Sequence, residues 1–109
     1  MAASFNACTI REELTVSREV DRATSIHPLA EHIFEAAKWR IAREPDCGTP
    51  MEEVDRDRRI LNLPPNKVAK TPGLLVRYFQ ESQDTVVIDW VHFYPYDDSI
   101  AVYPSAYIR

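Results

Sequence analysis

Apolar positions recur at helical spacing in one stretch of the chain and at strand spacing in another. Leu29, Ile33, Ala37 and Ile41 recur at four-residue intervals, flanked by Ala30, Phe34 and Ala42, which places one apolar face along a helix. Pro28 suits the first helical position, because its fixed φ fits and the N–H it lacks has no helical partner there. No glycine or proline interrupts Leu29–Glu44, and Glu31, Glu35, Lys38 and Arg43 form the polar face. Pro45, Gly48 and Pro50 end the run, so the pattern predicts a helix over Pro28–Glu44.

The second half of the chain changes period. In Leu74–Gln80, Leu75, Arg77 and Phe79 alternate with Leu74, Val76 and Tyr78, as on the two sides of a strand. Glu81–Asp84 is a polar hairpin turn. Thr85–Tyr94 follows, apolar on both sides except at Asp89 and His92, as expected of a central strand. Pro95 stops it. Tyr96–Ser99 reads as a turn and Ile100–Tyr103 as a last short edge strand. Upstream, Arg59–Leu63 alternates as a short strand and Pro64-Pro65-Asn66 closes it. Lys67–Gly73 is a connector and Glu44–Asp57 a charged loop with a short turn around Met51–Val54. Residues 1–8 read as a loose end, Cys8–Val16 as a first strand interrupted by Arg11-Glu12-Glu13, and Ser17–Ser25 as either a helix or a loop. Together these elements predict a single α+β domain over 1–109, an antiparallel β-meander with an N-terminal helix or helical pair packed on one face.

Composition narrows the classes. A chain of 109 residues that is 45% hydrophobic is one domain and too apolar for disorder. No apolar run reaches 18 residues, and the N-terminus lacks the pattern of a secretion signal. Two cysteines, Cys8 and Cys47, make no disulfide framework, so the expected setting is reducing and cytoplasmic. A net charge of −4 weighs against a general nucleic-acid binder. Charge is uneven, however: Arg56, Arg58, Arg59, Lys67, Lys70 and Arg77 face only Asp55 and Asp57 between Val54 and Arg77.

Several chemistries lack their residues. His27 and His32 are five apart and do not share a helix face as a metal pair would, and the cysteines are distant from each other, so no metal site is expected. The glycines are Gly48 and Gly73, which rules out a glycine-rich phosphate loop. No serine sits in a nucleophile-elbow context. No cofactor is expected. Asp89, inside an apolar strand, is expected to pair with Arg59 or Arg77, because a lone buried carboxylate is costly.

Over Arg59–Tyr103 the chain resembles the RelE/ParE toxin superfamily. The residues carrying the resemblance are Leu75-Val76-Arg77-Tyr78, the acidic turn Glu81–Asp84, the strand Thr85–Tyr94, the loop Tyr96–Ser99 and the closing Val102-Tyr103. The resemblance implies helices on one side of a twisted sheet. It also implies an antitoxin protein or self-association as partner, and the ribosome with its RNA or DNA gyrase as target. In the family's nuclease branch arginines, lysines and a C-terminal aromatic do the work. Here the C-terminal aromatic matches Tyr103, while the two family arginines fall on Leu75 and near Asp97. Arg77 lies on the same strand face as Leu75 and is the substitute cation. His92 titrates near neutrality. Arg77, His92 and Tyr103 are thus the catalytic candidates, and Arg58, Arg59, Lys67, Lys70, Tyr94 and Tyr96 the binding candidates. With Leu75 and Asp97 at arginine positions, the resemblance implies a toxin-module or toxin-derived protein that binds a macromolecular partner. A ribosome-dependent endoribonuclease and a non-toxin homo-oligomeric domain are the alternatives.

Overall fold

The computed structural model describes residues 7–51 and 55–95, with backbone alone for Asp55 and Arg56. The elements are β1 (Thr9–Glu12), α1 (Leu14–Ile26), α2 (Ala30–Arg43), β2 (Thr49–Met51), β3 (Asp55–Leu63), β4 (Gly73–Ser82) and β5 (Thr85–Tyr94). The expected Tyr96–Ser99 turn and Ile100–Tyr103 strand lie outside the described residues.

Both helices belong to one buried cluster with one side of the sheet. Val16 and Val20 of α1 and Phe34, Ala37 and Ile41 of α2 meet Leu61, Leu74, Val76, Tyr78, Val86, Ile88 and Val91. The helix over Ser17–Ser25, left open by its polar composition, forms because Val16, Val20 and Ala23 fall on one buried stripe. It also takes Leu14–Val16 away from the predicted first strand, which shrinks to Thr9–Glu12. The second helix buries Ala30, Phe34, Ala37 and Ile41, one step round from the expected stripe, so Leu29 stays exposed. Pro28 sits in the turn before this helix rather than at its first position.

The sheet is mixed, in the order β1-β5-β4-β3-β2. The expected antiparallel meander is present as β3–β4–β5, but β1 runs parallel to β5, pairing Thr9–Glu12 with Thr85–Ile88. The two helices carry the chain from β1 at one edge of the sheet to β2 at the other, and β1 pairs with the last described strand rather than with a sequence neighbour. The strand in the middle is therefore β4, not β5. Part of the predicted loop Glu44–Asp57 is ordered as β2 and the start of β3, and Pro50 is tolerated there because β2 is an edge.

Three polar arrangements fix these layers. Lys38 Nζ lies 3.0 Å from Glu12 on β1 and 3.0 Å from Glu35 on its own helix. Burial would lower the Lys38 pKa, but its hydrogen bonds to Glu35 and Glu12 carry it above the ordinary value. The Tyr78 hydroxyl donates to the Pro45 carbonyl and accepts from the Gly48 N–H, both at 2.8 Å. Burial pushes that phenol well above its usual range. On the opposite side, a Cβ at Gly73 would lie 2.3 Å from the Tyr94 ring. Glycine there lets the ring cover the β4 backbone, as cross-strand aromatics do beside glycine, and the Tyr94 hydroxyl donates to Asn62 at 2.7 Å.

Candidate binding face

The side of the sheet away from α1 and α2 carries Arg58 of β3, Arg77 of β4 and Asp89 of β5. Strand alternation gives this side Arg58 from β3, Leu75, Arg77 and Phe79 from β4, and Val87 and His92 from β5. Arg58 pairs across with Phe79, and Arg77 with Trp90. Tyr78 pairs with Ile88 while Arg77 pairs with Trp90, so Asp89 is an extra residue on β5. Such a bulge re-aims a side chain. Here it brings the Asp89 carboxylate between two arginines.

Asp89 Oδ2 accepts from Arg58 Nε at 2.9 Å and Oδ1 accepts from Arg77 Nε at 2.8 Å. The carboxylate side chain is only 8% exposed, whereas the two arginine side chains are 32% and 35% exposed. Each guanidinium also lies near an aromatic ring. Arg58 is 4.7 Å from the Phe79 centroid and Arg77 is 5.9 Å from that of Trp90, within cation–π range. The Trp90 and His92 rings are nearly parallel, with centroids 6.0 Å apart. Two guanidiniums thus flank one carboxylate. The face is not uniformly polar: Leu75, Val87 and Tyr94 are buried on it.

Beside this cluster, Thr15, Val16 and Glu19 of α1 and Asp89–His92 of β5 line a cleft of about 310 Å³. Burial holds the His92 imidazole below its ordinary pKa, Arg22 acts in the same direction, and Glu19 opposes. Glu19 is held below the usual carboxylate value by its hydrogen bond to Arg22. At neutral pH the cleft thus presents a neutral imidazole and an ionised carboxylate already matched to an arginine.

The sequence candidates divide by position. Arg58 and Arg77 come together, and His92 joins them through Trp90. Arg59 does not: its guanidinium donates to the carbonyls of Gly48 at 2.8 Å and Asp46 at 3.2 Å, bracing the loop before β2. Lys67 and Lys70 are exposed in the β3–β4 connection, which the Asn66–Thr71 bridge closes. Arg77 is four strand steps from Gly73, roughly 13 Å. Tyr94 is buried against Gly73, and Tyr96 and Tyr103 lie outside the described residues. Asp89 does pair with Arg77, but its second partner is Arg58 rather than Arg59. Trp90 and Phe79 were not singled out. Their signal was in the sequence: each stands two residues from a candidate, His92 and Arg77, on the same strand face. Among the described residues no group of three or more His, Cys, Asp or Glu side chains could hold a metal, and no helix is long and apolar enough to cross a membrane.

Comparison with protein-family models, curated proteins and solved structures finds no match to this chain.

Proposed function

We propose that the chain is a RelE/ParE-like toxin-module or toxin-derived protein that acts by binding a macromolecular partner through the helix-free face of its sheet. The observation that carries the binding reading is the Arg58–Asp89–Arg77 cluster, with its flanking rings of Phe79 and Trp90. Two guanidiniums that keep about a third of their exposure, fixed by a carboxylate and by ring faces, present donors whose ordering cost is already met. The toxin-module reading is supported by the order of elements, a strand, two helices on one side and then an antiparallel meander. Binding is favoured over RNA cleavage because Arg77 donates its Nε to Asp89, which offsets the charge a phosphate would need from it.

Induced expression of the chain in a bacterial host tests the reading. Slowed growth is expected, and Arg58→Gln/Arg77→Gln, once shown to be folded by circular dichroism, should abolish it. No effect of the wild-type chain on growth would remove the toxin-module reading.

A further inference from the structure

We propose that the outer face of α2 is a self-association surface, on which a second copy of this chain packs its own α2 in parallel. The surface lies on the helices, so the proposal does not rest on the reading of the sheet face above. α2 buries Ala30, Phe34, Ala37, Ile41 and Ala42 and turns its remaining residues outward. Leu29, Ala36 and Trp39 lie along one outward line, and all three are exposed. Their spacing of seven and then three residues is that of a coiled-coil seam. Among the described residues five large apolar side chains are exposed, and three of them gather here: Ile26 and Leu29 at the α1–α2 junction, and Trp39, which is 61% exposed. His32 and Arg43 are the polar positions of the same line. Polar seam positions fix register at a cost in affinity.

The charges beside this line select a second copy. Glu35 stands just before Ala36 and Arg40 just after Trp39, on opposite flanks of the seam. In a parallel pair a residue at the first of these positions meets the residue five places further on in the facing helix. Glu35 of each copy therefore faces Arg40 of the other, and the pairing occurs twice about the two-fold axis. An antiparallel pair would set the acidic flank of Glu31 and Glu35 against itself, which like-charge repulsion disfavours. Glu35 is 53% exposed and gives one oxygen to Lys38 at 3.0 Å, so its other oxygen can accept a second cation. Arg40 makes no ion pair within the described chain. Three apolar side chains per copy make a small interface, so the dissociation constant is expected to be on the order of 100 µM.

The test is sedimentation velocity of the full chain at low salt, from roughly 10 µM to 1 mM. A dimer should grow in with concentration. Trp39→Ala should weaken it about tenfold. Leu14→Ala removes a similarly exposed apolar side chain from α1 (63%) and should stay within about twofold of wild type. Arg40→Glu should weaken the dimer about fivefold. Adding Glu35→Arg should restore it to within about twofold of wild type, because the swap rebuilds both pairs. A chain that stays monomeric at the highest concentration would overturn the proposal, as would a dimer indifferent to Trp39→Ala. Equal weakness of Arg40→Glu and the double variant would overturn it too. If Glu35→Arg disturbs the fold through Lys38, the ¹⁵N indole signal of Trp39 in the wild type decides. It should become shielded from a soluble paramagnetic probe as concentration rises. Full exposure at every concentration refutes the surface, and shielding already complete in the monomer means that the chain covers this face itself and refutes it equally.

Discussion

Replacing Asp89 with alanine removes the anion that holds Arg58 and Arg77 together. Its side chain is 8% exposed and each oxygen accepts one charge-assisted hydrogen bond. At an effective dielectric of about 20, one such ion pair at ~4 Å is worth ~4 kcal/mol before desolvation. Two pairs would give about 8, from which the several kcal/mol for removing a carboxylate from water must be subtracted. The arginine side chains are 32% and 35% exposed, so water screens each interaction further. The net loss expected for Asp89→Ala is about 2–4 kcal/mol. At about 4 °C per kcal/mol for a domain of this size, the melting temperature should fall by roughly 8–16 °C. Asp89→Asn keeps the shape and one acceptor, and should lose about half as much. Thermal unfolding followed by circular dichroism, in low salt and in 1 M NaCl, measures both variants. The alanine deficit should shrink at high salt, because the pairs are partly exposed. A melting temperature within ~2 °C of wild type for Asp89→Ala would refute the reasoning, since the clamp would then contribute nothing net to the fold.

Other perturbations test separate contacts. Gly73→Ala forces a Cβ into the Tyr94 ring and should cost about 1–3 kcal/mol. Adding Tyr94→Ala should make the double variant less unstable than the sum of the singles, a coupling that a double-mutant cycle in urea resolves. Tyr78→Phe leaves the Gly48 N–H and the Pro45 carbonyl without their hydroxyl partner, and denaturant unfolding should show a loss of about 1–3 kcal/mol. His92 is held below its ordinary pKa of 6.5 in the folded state, so the unfolded chain binds more protons between the two values. Its contribution to stability is therefore full above pH 6.5 and is lost as pH falls through the folded value. Urea midpoints measured across that range should fall with acidity, less steeply for His92→Gln.

The second half of the fold was legible because strand alternation there is strong. Leu74, Val76 and Tyr78 do face the helices, while Leu75, Arg77 and Phe79 do not. The extent of β5 follows directly from it, while the expected turn over Glu81–Asp84 narrows to Gln83–Asp84 because β4 runs on to Ser82. Less could be read upstream. The first helix hides its stripe of Val16, Val20 and Ala23 among charged residues, and burial against β5 rather than composition makes it a helix. The parallel placement of β1 leaves no mark on local pattern, since pairing between residues 9–12 and 85–88 is set by tertiary packing. At the candidate site, Asp89 stood out as a carboxylate in an apolar strand, which was enough to expect an arginine partner. It was not enough to choose Arg58 over Arg59. These neighbours project from opposite sides of β3, and what decides between them is the register that sets Arg58, outside the expected strand Arg59–Leu63, opposite Phe79. The run of basic residues before Arg77 likewise looked like one patch, but strand alternation and the β3–β4 connection distribute it over two faces and a loop.

The most direct measurement is the growth of a bacterial culture on induction of the wild-type chain beside Arg58→Gln/Arg77→Gln, with both proteins first shown to be folded by their near-ultraviolet circular dichroism. If the helix-free face binds a cellular partner as a toxin module does, the wild type slows growth and the double variant does not. Equal growth of the two cultures, whether both are slowed or neither is, contradicts a function carried by that face.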